Sequence, residues 1–145
     1  MIGQAWRLAQ LDAADVRLLG HALLTLARVR VWLWTRPWRR LCQSLETPVR
    51  AVAAPPDVRR LAWAVRVASH CVPGATCLTR AVALQQLLCQ FGYDAIVQVG
   101  IQHASGTFTA HAWTEHEGRP LLDAPADLLH YKRLFSLPAS RPNLS

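Results

Sequence analysis

Apolar residues recur at helical spacing through the first half of the chain and at strand spacing through part of the second. Asp12 followed by Asp15 has the form of a helix N-cap with an acid three residues on, and Val16, Leu19, Leu23 and Leu26 then recur three or four residues apart. This predicts a first helix over residues 13–35, with Pro37 as its stop. Residues 47–57 contain three prolines and read as a linker, after which Asp57 is expected to cap a second helix. There Val58, Leu61, Ala62, Val65 and Ala68 share one face, Arg59, Arg60 and Arg66 point away, and Val72-Pro73-Gly74 ends the run. A third helix is expected from Thr76-Cys77 to Gln90, with Ala81, Leu84 and Leu88 inward and Gly92 as its C-terminal stop.

From Ala95 the period changes. Residues 95–101 read as a strand, and a Gly/Ser loop at 104–106 leads into a second strand over 107–115. The turn Glu115-His116-Glu117-Gly118-Arg119 suits a three-residue loop with Gly118 in the left-handed conformation, forming a bulge. That register sets Glu115 opposite Arg119 and carries His111 opposite Asp123 on one face. A two-residue loop at Glu117-Gly118 would set them on opposite faces, because a one-residue slip inverts every side chain, so on this reading the triad requires the bulged turn. Three helices followed by strands predict an α+β layout, helices packed on a small antiparallel sheet. One domain over residues 1–145 is expected: a basic helical region (1–70), a core of helix and sheet (71–125) and a C-terminal tail (126–145), mobile after Lys132-Arg133.

Composition changes this picture in two ways. With 52% hydrophobic and 17% charged residues the chain is neither disordered nor fibrous, and at 145 residues it can bury a sizeable core. The formal charge of +7 is lopsided: residues 1–70 hold eleven arginines against four acids, residues 71–145 five basic residues against five acids. Trp32, Trp34 and Trp38 beside Arg36, Arg39 and Arg40 form either a cover over the core where helices meet or a docking surface. The segment from Leu18 to Leu33 is broken by His21, Arg28 and Arg30, so no membrane span is expected. Without a recognisable leader the chain is expected to be cytoplasmic, with its four cysteines reduced.

Candidate chemistry sits in the less basic half. Cys77 is the one cysteine expected at a helix N-terminus, where unpaired N–H groups and the helix dipole favour the reactive thiolate. Cys42, Cys71 and Cys89 read as small buried fillers. A thiolate needs a proton carrier, commonly histidine, held by a third group, and His111 with Asp123 meets that need. The alternatives are a core histidine on a strand and a turn residue before Ala124-Pro125. His103 and His116 are expected to face solvent. Zinc held by Cys71, Cys77, His111 and His116 is disfavoured because neither C-x-x-C nor H-x-x-x-H spacing occurs among them.

The runs Gly74-Ala75-Thr76-Cys77-Leu78-Thr79-Arg80-Ala81, Ala110-His111-Ala112-Trp113-Thr114-Glu115 and Gly118-Arg119-Pro120-Leu121, with Leu84, Leu87-Leu88 and Gly92, resemble those of the lasso-peptide leader peptidases. These are transglutaminase-like, papain-type cysteine peptidases, and the resemblance covers roughly residues 12–125. It implies a Cys-His-Asp triad of Cys77, His111 and Asp123, no cofactor, and a ribosomally made precursor peptide as substrate. It also implies the stand-alone peptidase form, working with a separate leader-recognition protein and ahead of an ATP-dependent lasso cyclase. Two rivals remain at this point. The same triad could pass its acyl group to an amine, as a transglutaminase or acyltransferase does. A non-enzymatic module could instead use the arginine face to grip nucleic acid, for which charge is the main support.

Overall fold

The computed structural model describes residues 12–35 and 54–138, and all structural statements below concern those residues. Three long helices come first: α1 (Ala13–Thr35), α2 (Val58–Ser69) and α3 (Cys77–Gln90). They are followed by β1 (Ile96–Ala104), β2 (Thr107–His116), β3 (Arg119–Pro120), a short helix α4 (Pro125–Leu128) and β4 (Lys132–Pro138). The strands form one antiparallel sheet in the order β3-β2-β1-β4. This is the expected α+β layout. No described helix is long and apolar enough to cross a membrane.

The start of α1 follows the sequence signal: the Asp15 N–H donates to Asp12 Oδ1 at 2.8 Å, and the Asp12 N–H returns to Asp15 Oδ2 at 3.4 Å. Its buried face takes in only part of the apolar spacing read from the sequence: Leu26 is in the core and Leu19 packs against it. Leu18, Ala22, Thr25, Leu26 and Val29 are buried, whereas Val16 and Leu23 are exposed. In a helix with leucines on several sides, periodicity alone leaves more than one possible apolar stripe, and packing against α2 and α3 selects among them. On α2 the expected face is the one buried, Leu61, Ala62, Val65 and Ala68 in the core with Val58 packed against it. Asp57 stands at the N-cap position but its side chain makes no capping bond. Arg60, pointing away from the core, pairs with Asp15 and ties α2 to α1.

Helix α3 is central. Residues Ala81 to Cys89 are all buried, so it is covered on every side. Gln85 satisfies part of its amide by donating to the Ala95 carbonyl at 3.2 Å. The sheet lies against α3 through Val97 and Ala112, and Thr114 Oγ1 donates to the Ala81 carbonyl at 2.7 Å. Trp32 packs against the core, while Trp34 is 82% exposed. The expected cluster is therefore divided at these two positions. Pro37, Trp38, Arg36, Arg39, Arg40 and Cys42, with most of the expected linker, lie outside the described residues.

Two sequence expectations are corrected in the sheet. The β2–β3 turn is a two-residue loop, with His116 paired to Arg119 and Glu115 to Pro120. Glu117 and Gly118 both have positive φ, 51° and 77°, as a type I′ hairpin requires. The part of the C-terminal segment expected to be mobile after Lys132-Arg133 includes β4, an edge strand paired with β1 over Lys132–Pro138 and bulged opposite Val99/Gly100. Leu134, Phe135 and Leu137 carried the strand signal beneath the flanking prolines and serines.

Candidate active site

Cys77 is the first residue of α3. Thr76 caps the helix in extended conformation, its Oγ1 accepting from the Thr79 N–H at 3.3 Å, and the Arg80 N–H goes to the Thr76 carbonyl at 3.0 Å. The N–H groups of Cys77 and Leu78 are left with no intrahelical acceptor. Cys77 is half-buried against the edge of the core. Just before it, Gly74 takes φ 72°, and an added Cβ there would stand 2.8 Å from Arg30 Nη2, so α1 crowds the loop that delivers the cysteine.

The other cysteines sit in different surroundings. Cys89 is buried near the far end of α3, and burial, reinforced by the charge of Asp94, pushes its thiol up to about 11. Cys71, expected to be buried, is instead exposed, because it lies beyond the end of α2.

His111 stands on β2 opposite Gly100 of β1. Its Nε2 lies 3.1 Å from Asp123 Oδ1, with both side chains about a quarter exposed or less. Paired this way, Nε2–H donates to the carboxylate and Nδ1 is the nitrogen free to exchange a proton. The pair forms even though the two-residue turn removes the register invoked for it. The reason is the shortness of β3: the ladder continues only as far as the Leu121 N–H donating to the Thr114 carbonyl, and the chain then bends through residues 121–123. Asp123 has left the sheet, so strand alternation no longer governs where its side chain points.

The imidazole is held by neighbours that sequence reasoning did not assign. Trp113, two residues along the strand, is stacked with His111 at a ring separation of 6.1 Å. Tyr131, from the supposed tail, lies 5.4 Å from His111 and 6.2 Å from Trp113. Trp113 is only 1% exposed and donates its indole N–H to Glu115 Oε1 at 2.9 Å. Glu115, 4% exposed, also accepts from Arg133 Nη2 at 2.9 Å and Gln98 Nε2 at 3.4 Å, and Ser136 Oγ donates to Gln98 Oε1 at 2.6 Å. A buried carboxylate with three donors from β1, β2 and β4 is thus satisfied rather than orphaned. Gly100 makes room for this arrangement, since a Cβ there would come within 3.0 Å of both the Trp113 ring and the Lys132 carbonyl.

The three candidate residues are not joined in one hydrogen-bonded line. His111 and Asp123 are brought together, but the Cys77 thiol has no hydrogen-bond partner among the described residues. Along β2, Ala112 and Thr114 turn toward α3, and His111 alternates with them on the side of Trp113 and Glu115. The structure therefore brings His111 and Asp123 together but does not bring the Cys77 thiol and the imidazole together.

His116 departs from expectation: it is half-buried, with Nδ1 2.6 Å from the Asp94 carbonyl and its ring edge-on to Tyr93. His103 is exposed, as expected. Among the described residues no group of three or more His, Cys, Asp or Glu side chains is placed to hold a metal ion.

No curated protein and no solved structure matches the chain. The sequence model of the transglutaminase-like superfamily matches residues 7–136, most of the chain, and the protein belongs to that superfamily. Membership points to cysteine peptidase or acyltransferase chemistry.

Proposed function

We propose that this transglutaminase-like protein is a cysteine peptidase that removes the leader from a ribosomally made lasso-peptide precursor, with Cys77 as nucleophile, His111 as proton carrier and Asp123 as the group that orients it. The observation that carries the reading is the 3.1 Å bond between His111 Nε2 and Asp123, which supplies an oriented imidazole with Nδ1 left to carry a proton. The placement of Cys77 at the start of a capped helix supports it further. The lasso assignment rests on the motif resemblance around Cys77 and His111.

In the first half-reaction the Cys77 thiolate adds to the carbonyl carbon of the leader–core bond. The backbone N–H of Cys77 is available to the developing oxyanion. The C–N bond then breaks, His111 gives its proton to the leaving amine of the core, and the leader remains as a thioester on Cys77. In the second half-reaction water gives a proton to His111 and attacks the thioester, releasing the leader carboxylate and restoring the thiol. Asp123 stays ionised throughout, holding the imidazole and offsetting the charge it acquires.

A separate leader-recognition protein delivers the precursor, and an ATP-dependent lasso cyclase consumes the freed core amine. The second reading, acyl transfer, differs only in replacing water by an amine at the thioester. Mass spectrometry of a candidate precursor incubated with the protein and its leader-recognition partner tests both. Hydrolysis by the wild type, lost in Cys77→Ala and His111→Ala, supports the peptidase. A mass gain equal to the added amine supports transfer, and cleavage that survives Cys77→Ala overturns the cysteine mechanism.

A further inference from the structure

A cavity of about 250 Å³ lies between α2 and the segment leaving β3, lined by Arg59, Ala62, Trp63, Arg66, Pro120 and Leu121. The four helical residues are spaced three, four and seven apart, so they form a single stripe with an arginine at each end and an apolar stretch between. Pro120 and Leu121 form the facing wall, and Leu121 is two residues before Asp123. The cavity therefore adjoins the segment that carries the orienting acid.

Both arginines are exposed, and neither has an ion-pair partner among the described residues. Arg60 of the same helix is engaged with Asp15, and Arg133 with Glu115. Among the described residues Arg59 and Arg66 are thus unpaired cations set around a partly buried indole. A guanidinium presents a planar fork that matches a carboxylate, and an apolar floor beside it favours a carboxylate carried on a hydrocarbon stem.

We propose that this cavity is a subsite for an acidic side chain, Asp or Glu, flanked by apolar residues in the peptide substrate. The proposal rests on the peptide-cleaving reading above in taking a peptide as the ligand. The excess of arginine over acid on the described residues of α1 and α2 would also draw such a peptide toward α2.

The test is fluorescence anisotropy with the full chain carrying Cys77→Ala, so that binding is read without turnover. The probe is a fluorescein-labelled peptide with one Glu between two Leu and otherwise Gly and Ser, compared with its Gln counterpart. The Glu peptide should bind about tenfold tighter at low salt, the scale of one charge-assisted contact, and lose that margin as salt rises. Arg59→Gln combined with Arg66→Gln should abolish the preference, while Arg60→Gln should keep it; circular dichroism checks that each variant is folded.

Equal binding of the two peptides, or a preference that survives in the double variant, overturns the proposal. So does an oligothymidylate that displaces the peptide at lower concentration than the unlabelled peptide does, which would make the arginines a nucleic-acid contact. Because binding rather than cleavage is read, failure of the Cys77 mechanism and failure of this subsite are separable.

Discussion

The two ends of α3 each hold a cysteine, and the two stand in opposite surroundings. Cys77 begins the helix, half-exposed, beside N–H groups with no acceptor in the helix. Cys89 sits near its end, 1% exposed, where burial and Asp94 both disfavour the thiolate and hold the thiol near 11. One helix thus provides both a candidate nucleophile and an inert filler. What separates them is position along the dipole and access to water, not residue type.

The largest expected effects come from removing one end of this contrast. Cys77→Ala should lower precursor cleavage by about 10⁴-fold or more, measured by mass spectrometry, while Cys89→Ala should leave turnover unchanged. Equal losses in both would place the chemistry elsewhere. Next comes the partner of His111: Asp123→Asn should cost about 10²- to 10⁴-fold in kcat with little change in KM, because it keeps the shape of the pair but removes the charge.

A smaller loss, about tenfold in kcat, is expected for Gly100→Ala, whose methyl would press on the Trp113 ring stacked with His111. Unchanged kinetics in a folded Gly100→Ala variant would remove Trp113 from the account of how His111 is positioned. In alkylation followed by peptide mapping, Cys77 should be labelled by iodoacetamide near neutral pH, whereas Cys89 should resist until the pH approaches 11 or the protein unfolds.

The smallest effect is on stability. The Cys89 pKa is raised on folding from 9.0 to about 11, so its contribution is fully present below pH 9 and is lost as pH rises from 9 through 11, where the unfolded chain ionises first. The melting temperature of the wild type should fall over that interval, and the fall should be shallower in Cys89→Ala. Parallel curves for the two proteins would mean that Cys89 is not held neutral by its surroundings.

Much of the scaffold was legible because its signals are local. The reciprocal Asp12/Asp15 cap, the apolar face of α2 and the start of α3 at Thr76-Cys77 each depend on residues a turn apart, and each appears where the pattern put it. The inward face of α1 was not legible, because a helix carrying leucines on several sides acquires an inside only from what packs on it. β4 was missed because an edge strand is recognised by its neighbour, and with it went Tyr131 beside His111 and Arg133 on Glu115.

The His111–Asp123 bond shows the same division more sharply. The residues were chosen from chemistry, the route offered for their meeting was a bulged turn, and the turn is the two-residue alternative. They meet because β3 ends after Pro120 and the chain bends away, which frees Asp123 from the alternation that would have turned it aside. The sequence by itself determined the helices, the order of the first two strands, the capped helix start under Cys77 and the choice of His111 and Asp123, all of which follow from residue type and short-range spacing. Tertiary structure decided which stripe of α1 is buried, that residues 132–138 close the sheet, and how far Asp123 departs from it. Those outcomes depend on contacts between residues distant in sequence, whose cost and benefit are settled only when the layers pack together.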